Sequence, residues 1–271
     1  MSGNCLSFVK MSGTGNDFIM IDNMNLGLKT DLSNLALRLC HRRFGIGADG
    51  IILIEPSNEA DFTMRIFNSD GSEAEMCGNG SRCAARFAAG QGIAGNRMKF
   101  KTLAGIIEAE LNRDGAAIKL TDPAGMKKDI PVTIKGMEYM VQFINTGVPH
   151  AVLFMDDVES VPVRILGGMI RHHEAFRPAG TNVNFVQVVD KGTIRVRTYE
   201  RGVEDETFAC GTGATASALL SAALKDVSDT PIKVVVPGGE LKIDFKYKDG
   251  SFTDVWLIGA VDVAFKGEVC L

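Results

Sequence analysis

The sequence predicts a mixed α/β (α+β) protein built from two similar, duplicated domains, each with β-strands wrapped around a central helix. Three observations predict it. Two blocks of equal length match without a gap at an offset of 133 residues, IFNSDGSEAEMCGNG from Ile66 to Gly80 and YERGVEDETFACGTG from Tyr199 to Gly213. The same offset sets Gly47 on Gly180 and Asp49 on Asn182, and an offset of 132 sets Gly15-Asn16 on Gly147-Val148, so four segments recur in one order. A small-sided run follows each cysteine, GNGSRCAARFAAG after Cys77 and GTGATASALLSAALK after Cys210. A period this long is not that of a solenoid; it marks a duplicated domain.

Strand-like runs, short and β-branched or alternating between turn residues, fall at Phe18–Asp22, Ile51–Ile54, Phe62–Phe67, Ile106–Leu111, Ala117–Leu120 and Met140–Ile144. They continue at Ala151–Phe154, Asn184–Val189, Ile194–Tyr199, Ile232–Val236, Leu241–Tyr247 and Val255–Ile258. Four helical segments interrupt them. Asp31–Arg43 spaces Leu32, Leu35, Ala36 and Leu39 along one face. Asn79–Ala89 follows the first cysteine, Pro162–His173 opens on a proline tolerated at the first helical position, and Gly211–Leu224 follows the second cysteine. Alanine favours the helix, and small side chains let strands approach closely, so each post-cysteine helix is expected at the buried centre of its half. The turn-rich Thr121–Gly125 is expected to join the halves, giving domains 1–122 plus 260–271 and 123–259. The last segment has no counterpart at the end of the first half and is expected to return to the first domain's sheet.

At 271 residues and 45% hydrophobic content the chain can bury two cores. A net charge of −4 and a pI near 5.6 argue against a nucleic-acid partner. No apolar run approaches the roughly 20 residues needed to cross a bilayer, so no membrane partner is expected. The leading MSGNCLSFVKMSG lacks an apolar signal core, which predicts a cytoplasmic protein with reduced thiols. No CxxC occurs and the four histidines make no ligand spacing with the cysteines, so no metal is expected. Cys5, Cys40, Cys83 and Cys270 read as structural.

The chemistry concentrates at Cys77 and Cys210. A helix start offers unpaired N–H groups and a positive dipole end, which lower a thiol's pKa and can bind a carboxylate. One such thiol from each half would supply a base and an acid to the two faces of one carbon; the alternative is a pair of buried apolar fillers. Asn16, Asn68, Asn182, Glu200 and Arg201 fall in the repeated segments. Arg201 suits a carboxylate, Glu200 an ammonium group, and the asparagines either; the alternatives are turn and cap residues and a surface Glu200–Arg201 ion pair. Gly45–Gly50 matches GxGxxG, but a helix precedes it and a strand follows, the reverse of a dinucleotide-binding unit.

At these residues the chain resembles the diaminopimelate epimerase family. The matching motifs are GTGNDF at Gly13–Phe18, FNSDGSE at Phe67–Glu73, MCGNGSRC at Met76–Cys83, TGVPH at Thr146–His150, GTNVNF at Gly180–Phe185, YERG at Tyr199–Gly202 and ACGTGA at Ala209–Ala214. The resemblance implies two pseudo-symmetric domains with the active site in the interdomain cleft, and an amino-acid epimerase that uses no cofactor. It further implies Cys77 and Cys210 as the acid–base pair and Asn16, Asn68, Asn182, Glu200 and Arg201 as substrate-binding positions. Gly78, Asn79, Gly211 and Thr212 then hold the reacting carboxylate through their backbone. The partner implied is the small amino acid diaminopimelate, and a homodimer is the candidate assembly. Proline-type racemases usually carry His after Cys-Gly, where this chain has Asn79. Some members have Asn where this chain has Val148, and Gln where it has Gly50.

Overall fold

Short local connections set the strand order. In the computed structural model, which describes residues 5–28, 30–113 and 115–270, β1 (Cys5–Gly13) and β2 (Asn16–Asp22) form an antiparallel hairpin. Its two-residue turn, Thr14-Gly15, holds φ of 55° and 82°, the left-handed region that matches a hairpin's twist. Met1–Asn4, part of the stretch read for a signal core, and Leu271, assigned with the first half, lie outside the described residues.

Helix α1 (Leu32–Cys40) is capped by Asp31, whose side chain accepts from the Asn34 amide at 3.2 Å. It crosses over to β3 (Gly50–Glu55), parallel to β2, and β4 (Phe62–Asn68) runs antiparallel to β3. The short β5 (Glu73–Ala74) folds back on β4; α2 (Gly78–Gly90) then crosses to β6 (Arg97–Thr102), parallel to β4. β7 (Gly105–Leu111) and β8 (Gly115–Lys119) continue antiparallel.

The second half repeats this order. After β9 (Ala124–Ile134), β10 (Met137–Asn145) and β11 (Pro149–Phe154), all antiparallel, α3 (Val163–Arg171) crosses to β12 (Asn182–Asp190), parallel to β11. β13 (Thr193–Glu200) pairs antiparallel with β12, and β14 (Asp205–Thr207) folds back on it. Helix α4 (Gly211–Leu224) crosses to β15 (Ile232–Val236), parallel to β13, and β16 (Gly239–Lys248) and β17 (Ser251–Ala260) follow. The last strand, β18 (Asp262–Cys270), pairs antiparallel with β1. It takes beside β1 the place that β9 takes beside β10. The chain divides into two compact units, Met1–Ile118 with Gly259–Leu271, and Lys119–Ile258.

Both faces of each sheet are covered, so the inner strands read as continuous apolar runs such as GIILIE. In unit 1, Ile19, Ile21, Ile51, Leu53 and Phe67 pack with Leu35, Ala36 and Leu39 of α1. The opposite face meets α2, where a Cβ on Gly80 would lie 2.9 Å from Ile52 and 3.3 Å from Ile66. In unit 2, Val163, Leu166 and Ile170 of α3 pack on Val183, Phe185 and Leu153. Helix α4 is buried from Gly213 to Ser221, and its hydroxyls are satisfied within the helix: Thr215, Ser217 and Ser221 donate to carbonyls four residues back at 2.7–2.9 Å. Each post-cysteine helix is thus the core of its unit, as predicted. Pro162 differs by one position, capping α3 from outside its first turn.

Candidate active site

Each central helix begins at one of the two cysteines. Cys77 is the N-cap of α2, in extended backbone (φ −140°, ψ 122°), and its sulfur accepts the Gly80 amide at 3.5 Å. Cys210 is the N-cap of α4 with similar backbone (φ −110°, ψ 108°) and lies 3.5 Å from the Thr212 hydroxyl. The first intrahelical bonds are those of Ser81 to the Cys77 carbonyl and Ala214 to the Cys210 carbonyl, each 2.8 Å. Gly78, Asn79, Gly211 and Thr212 therefore supply the leading amides of the two helices, which no helical carbonyl can reach.

In unit 1 the register sets Phe18, Gly50 and Asn68 abreast, which brings Asn16, Asp49 and Asn68 to one end of the sheet. The Asn16 carbonyl oxygen accepts from the Cys77 thiol at 3.7 Å and from Asn79 Nδ2 at 3.4 Å, while its amide nitrogen donates to Asp49. Asp49 thus fixes which end of the Asn16 amide faces the thiol. Asp49 and Asp17 are both held by Arg42, at 2.7 and 2.8 Å, and Asp17 also by Lys10 at 2.6 Å. Burial works to raise the Asp17 carboxyl, but Arg42 and Lys10 outweigh it and hold it at about 2. Asn68 is exposed, donating to the Ser72 hydroxyl at 3.0 Å. Gly50 has no room for a side chain, since a Cβ would lie 2.6 Å from the Phe67 carbonyl oxygen.

Beneath Cys77 lies a residue the sequence reading passed over. Arg82 is fully buried and donates to the Thr14 hydroxyl at 2.8 Å, the Asn79 side-chain oxygen at 3.0 Å and the Gly78 carbonyl at 3.4 Å. Its Nε has no partner, and no carboxylate pairs with it among the described residues. Burial works to lower its guanidinium, and the Cys83 and Cys77 sulfurs oppose that effect. The signal in the sequence was an arginine in the small-residue first turns of a helix that opens at a cysteine.

In unit 2, Asn182 is abreast of His150 at the start of β12. Its side chain donates to the Pro149 carbonyl at 3.2 Å and accepts the Arg201 amide at 2.8 Å. Glu200 and Arg201 form no ion pair among the described residues, so the surface-pair alternative does not hold. Burial raises the Glu200 carboxyl, and only the Thr207 hydroxyl, at 3.0 Å, counters it. The Arg201 guanidinium donates to the Ala179 carbonyl at 3.2 Å. His150 is fully buried, next to Asn184, and burial pushes its imidazole down to about 3, so it is neutral. Cys40 and Cys83 are buried and pushed up to about 12, which keeps both as inert thiols.

Among the described residues no group of three or more His, Cys, Asp or Glu could hold a metal ion, and no helix is long and apolar enough to cross a membrane. A surface groove of about 670 Å³ is lined by Phe8, Leu37, Phe44 and Val269 and contains neither Cys77 nor Cys210.

The fold is similar to that of a phenazine biosynthesis protein of the PhzF family from Bacillus anthracis, with a TM-score of 0.78 over 99% of this chain and 100% of that one at 13% identity. The sequence is 48% identical to a diaminopimelate epimerase from Aquifex aeolicus, over 97% of this chain and 98% of that protein. It is 40% identical to another from Moorella thermoacetica, over 97% and 99%. The sequence model of the diaminopimelate epimerase family matches residues 8–126 and 142–261, one stretch for each repeat. The chain belongs to the diaminopimelate epimerase family.

Proposed function

We propose that the protein interconverts LL- and meso-diaminopimelate, a step of lysine biosynthesis, by proton transfer at Cα between two thiols, Cys77 and Cys210. The observation that carries this reading is the repeated capped thiol: in each unit one cysteine opens the central helix at its positive end. Inversion needs a base on one face of Cα and an acid on the other. One thiolate removes the proton and the other thiol delivers one; which acts as base depends on the isomer bound.

The Cα proton is a very weak acid beside a carboxylate. The leading amides at Gly78-Asn79 and Gly211-Thr212 are suited to the charge that builds on that carboxylate as the proton leaves, so the mechanism invokes no pyridoxal cofactor. Glu200 carries a half-buried carboxylate with no cation paired to it among the described residues, and a substrate ammonium would supply that cation. Arg201 would take the carboxylate of the centre that does not react. Asn16, Asn68 and Asn182 would orient both without adding charge.

The test is to incubate reduced protein with LL-diaminopimelate in deuterated water, with proline and histidine as parallel substrates. Deuterium at Cα should appear together with meso product, and from diaminopimelate alone. Exchange on proline or histidine instead would keep the two-thiol mechanism and overturn the substrate.

A further inference from the structure

We propose that Cys5 and Cys270 are a modification site: they close a disulfide that fastens β18 to β1, formed by exchange with a low-molecular-weight disulfide. The two residues are direct partners in the β1–β18 ladder, their sulfurs are 3.2 Å apart, and both are exposed. Opposed residues of an antiparallel pair have Cα atoms about 4.5–5.5 Å apart, inside the roughly 4.4–6.8 Å that a disulfide spans. Only side-chain rotation is then needed to bring the sulfurs to bonding distance. Cys5 is raised, first by its hydrogen bond to Cys270 and then by the Cys270 charge, burial and Glu268, which holds it as a thiol beside its partner. Cys40 and Cys83 are closed to the same reagent by burial.

The exchange balances in two steps. One protein thiolate attacks the reagent RSSR; its S–S bond breaks, a mixed disulfide forms and RS⁻ leaves. The second protein thiolate attacks the protein sulfur of that mixed disulfide, forming the Cys5–Cys270 bond and expelling the second RS⁻. The two protein thiols are oxidised, RSSR is reduced to two RSH, and the protein's two protons end on them.

The bond would matter because unit 1 is assembled from two stretches of chain. β18 is mostly exposed along its length and is held to unit 1 through its ladder with β1, which shifts register between Lys10 and Met11. Few contacts bury it: Val269 packs on the α1 side of the core and Phe265 meets Phe8 edge to face at 5.9 Å. A cross-link between residues 265 positions apart constrains nearly the whole described chain when it unfolds.

The experiment treats the full chain with oxidised glutathione, or with dithiothreitol as control, and maps unreduced peptides by mass spectrometry. The expected result is a cross-linked peptide pair joining Cys5 to Cys270, with both of these thiols consumed, and a melting midpoint higher by roughly 5 °C or more. Cys5→Ser should lose the cross-link and the rise while keeping its epimerase rate. Cys5 and Cys270 left as free thiols, or as separate glutathione adducts, would overturn the proposal. A cross-link with an unchanged midpoint would overturn its fastening role.

Discussion

Cys77 stands over a buried cation, and Cys210 stands over a hydroxyl. At the offset of 133 that relates the halves, Arg82 corresponds to Thr215. Thr215 satisfies itself inside α4 by donating to the Gly211 carbonyl at 2.9 Å. Arg82 brings a charge into the core with no carboxylate beside it among the described residues, an arrangement that costs stability unless an anion answers it. The two helix starts share their backbone geometry and differ in the charge beneath. The duplicated scaffold therefore places the thiols alike, while the side chains one turn below differ in charge.

The largest effect should come from removing either sulfur. Cys77→Ala and Cys210→Ala should each slow epimerisation by about a thousandfold or more, the scale of a lost acid or base, read as deuterium incorporated with inversion. A Cys77→Ala protein that still epimerises at a near-normal rate would end the two-thiol reading and with it the meaning of the comparison.

Next come the charges. Arg82→Met should reduce the rate at which iodoacetamide alkylates Cys77 at pH 7 by about tenfold, the effect of one unit in thiol acidity, and leave Cys210 unchanged. Thr215→Val should alter neither rate by as much. Equal slowing at both thiols would mean that Arg82 acts through the packing of the whole protein, and the contrast between the sites would fall. Glu200→Gln sharpens the other side. It should lower kcat/KM for diaminopimelate by about thirtyfold or more, if the carboxylate meets a substrate ammonium. It should also flatten a slope in stability. Because burial raises the folded-state value of Glu200, the native protein holds a proton that the unfolded chain has lost. Stability then falls as pH rises from the ordinary carboxylate value, about 4.3, through the raised one, and the glutamine variant should lack that fall in urea titrations.

How much of this was legible follows from where each residue gets its information. The central helices could be read to within a residue because a turn-forming Cys-Gly start and an unbroken small-residue run are local signals. Strands β1, β6 and β9 were not read, and β18 only as a last segment returning to the first domain's sheet; in β9 and β18, AGMKKDIPVTI and DVAFKGEVC are largely exposed, so neither alternation nor an apolar run marks them. Strands β5 and β14 were missed for length, at two and three residues. Arg82 looked like any polar position of a helix until the surrounding strands buried it. The Cys5–Cys270 pairing was illegible for a different reason, since spacing along the chain carries no information about which strands meet. Asn16, Asn182 and Glu200 were legible as candidates from the repeat, but their orientation by Asp49, the Pro149 carbonyl and Thr207 needed coordinates.

The smallest effect separates the halves by acid. His150 and Asp17 also correspond at the offset of 133. His150 is neutral in the folded protein down to about 3, whereas an unfolded histidine takes up its proton near 6.5. Below 6.5 the unfolded chain therefore binds a proton that the folded one does not, and unit 2 loses stability as pH falls, by at most about 1.4 kcal/mol per unit. Asp17 has its folded value at about 2, so its contribution is present above the ordinary aspartate value of 3.8 and is lost only as pH drops below that. Unit 2 should weaken first. The single tryptophan, Trp256, lies in that unit and reports on it. Its fluorescence in urea should show a midpoint that falls between pH 6.5 and pH 5, and His150→Gln should reduce that fall. A midpoint that does not move over this interval would mean that the two buried positions answer acid alike, and that the difference between the halves is confined to their thiols.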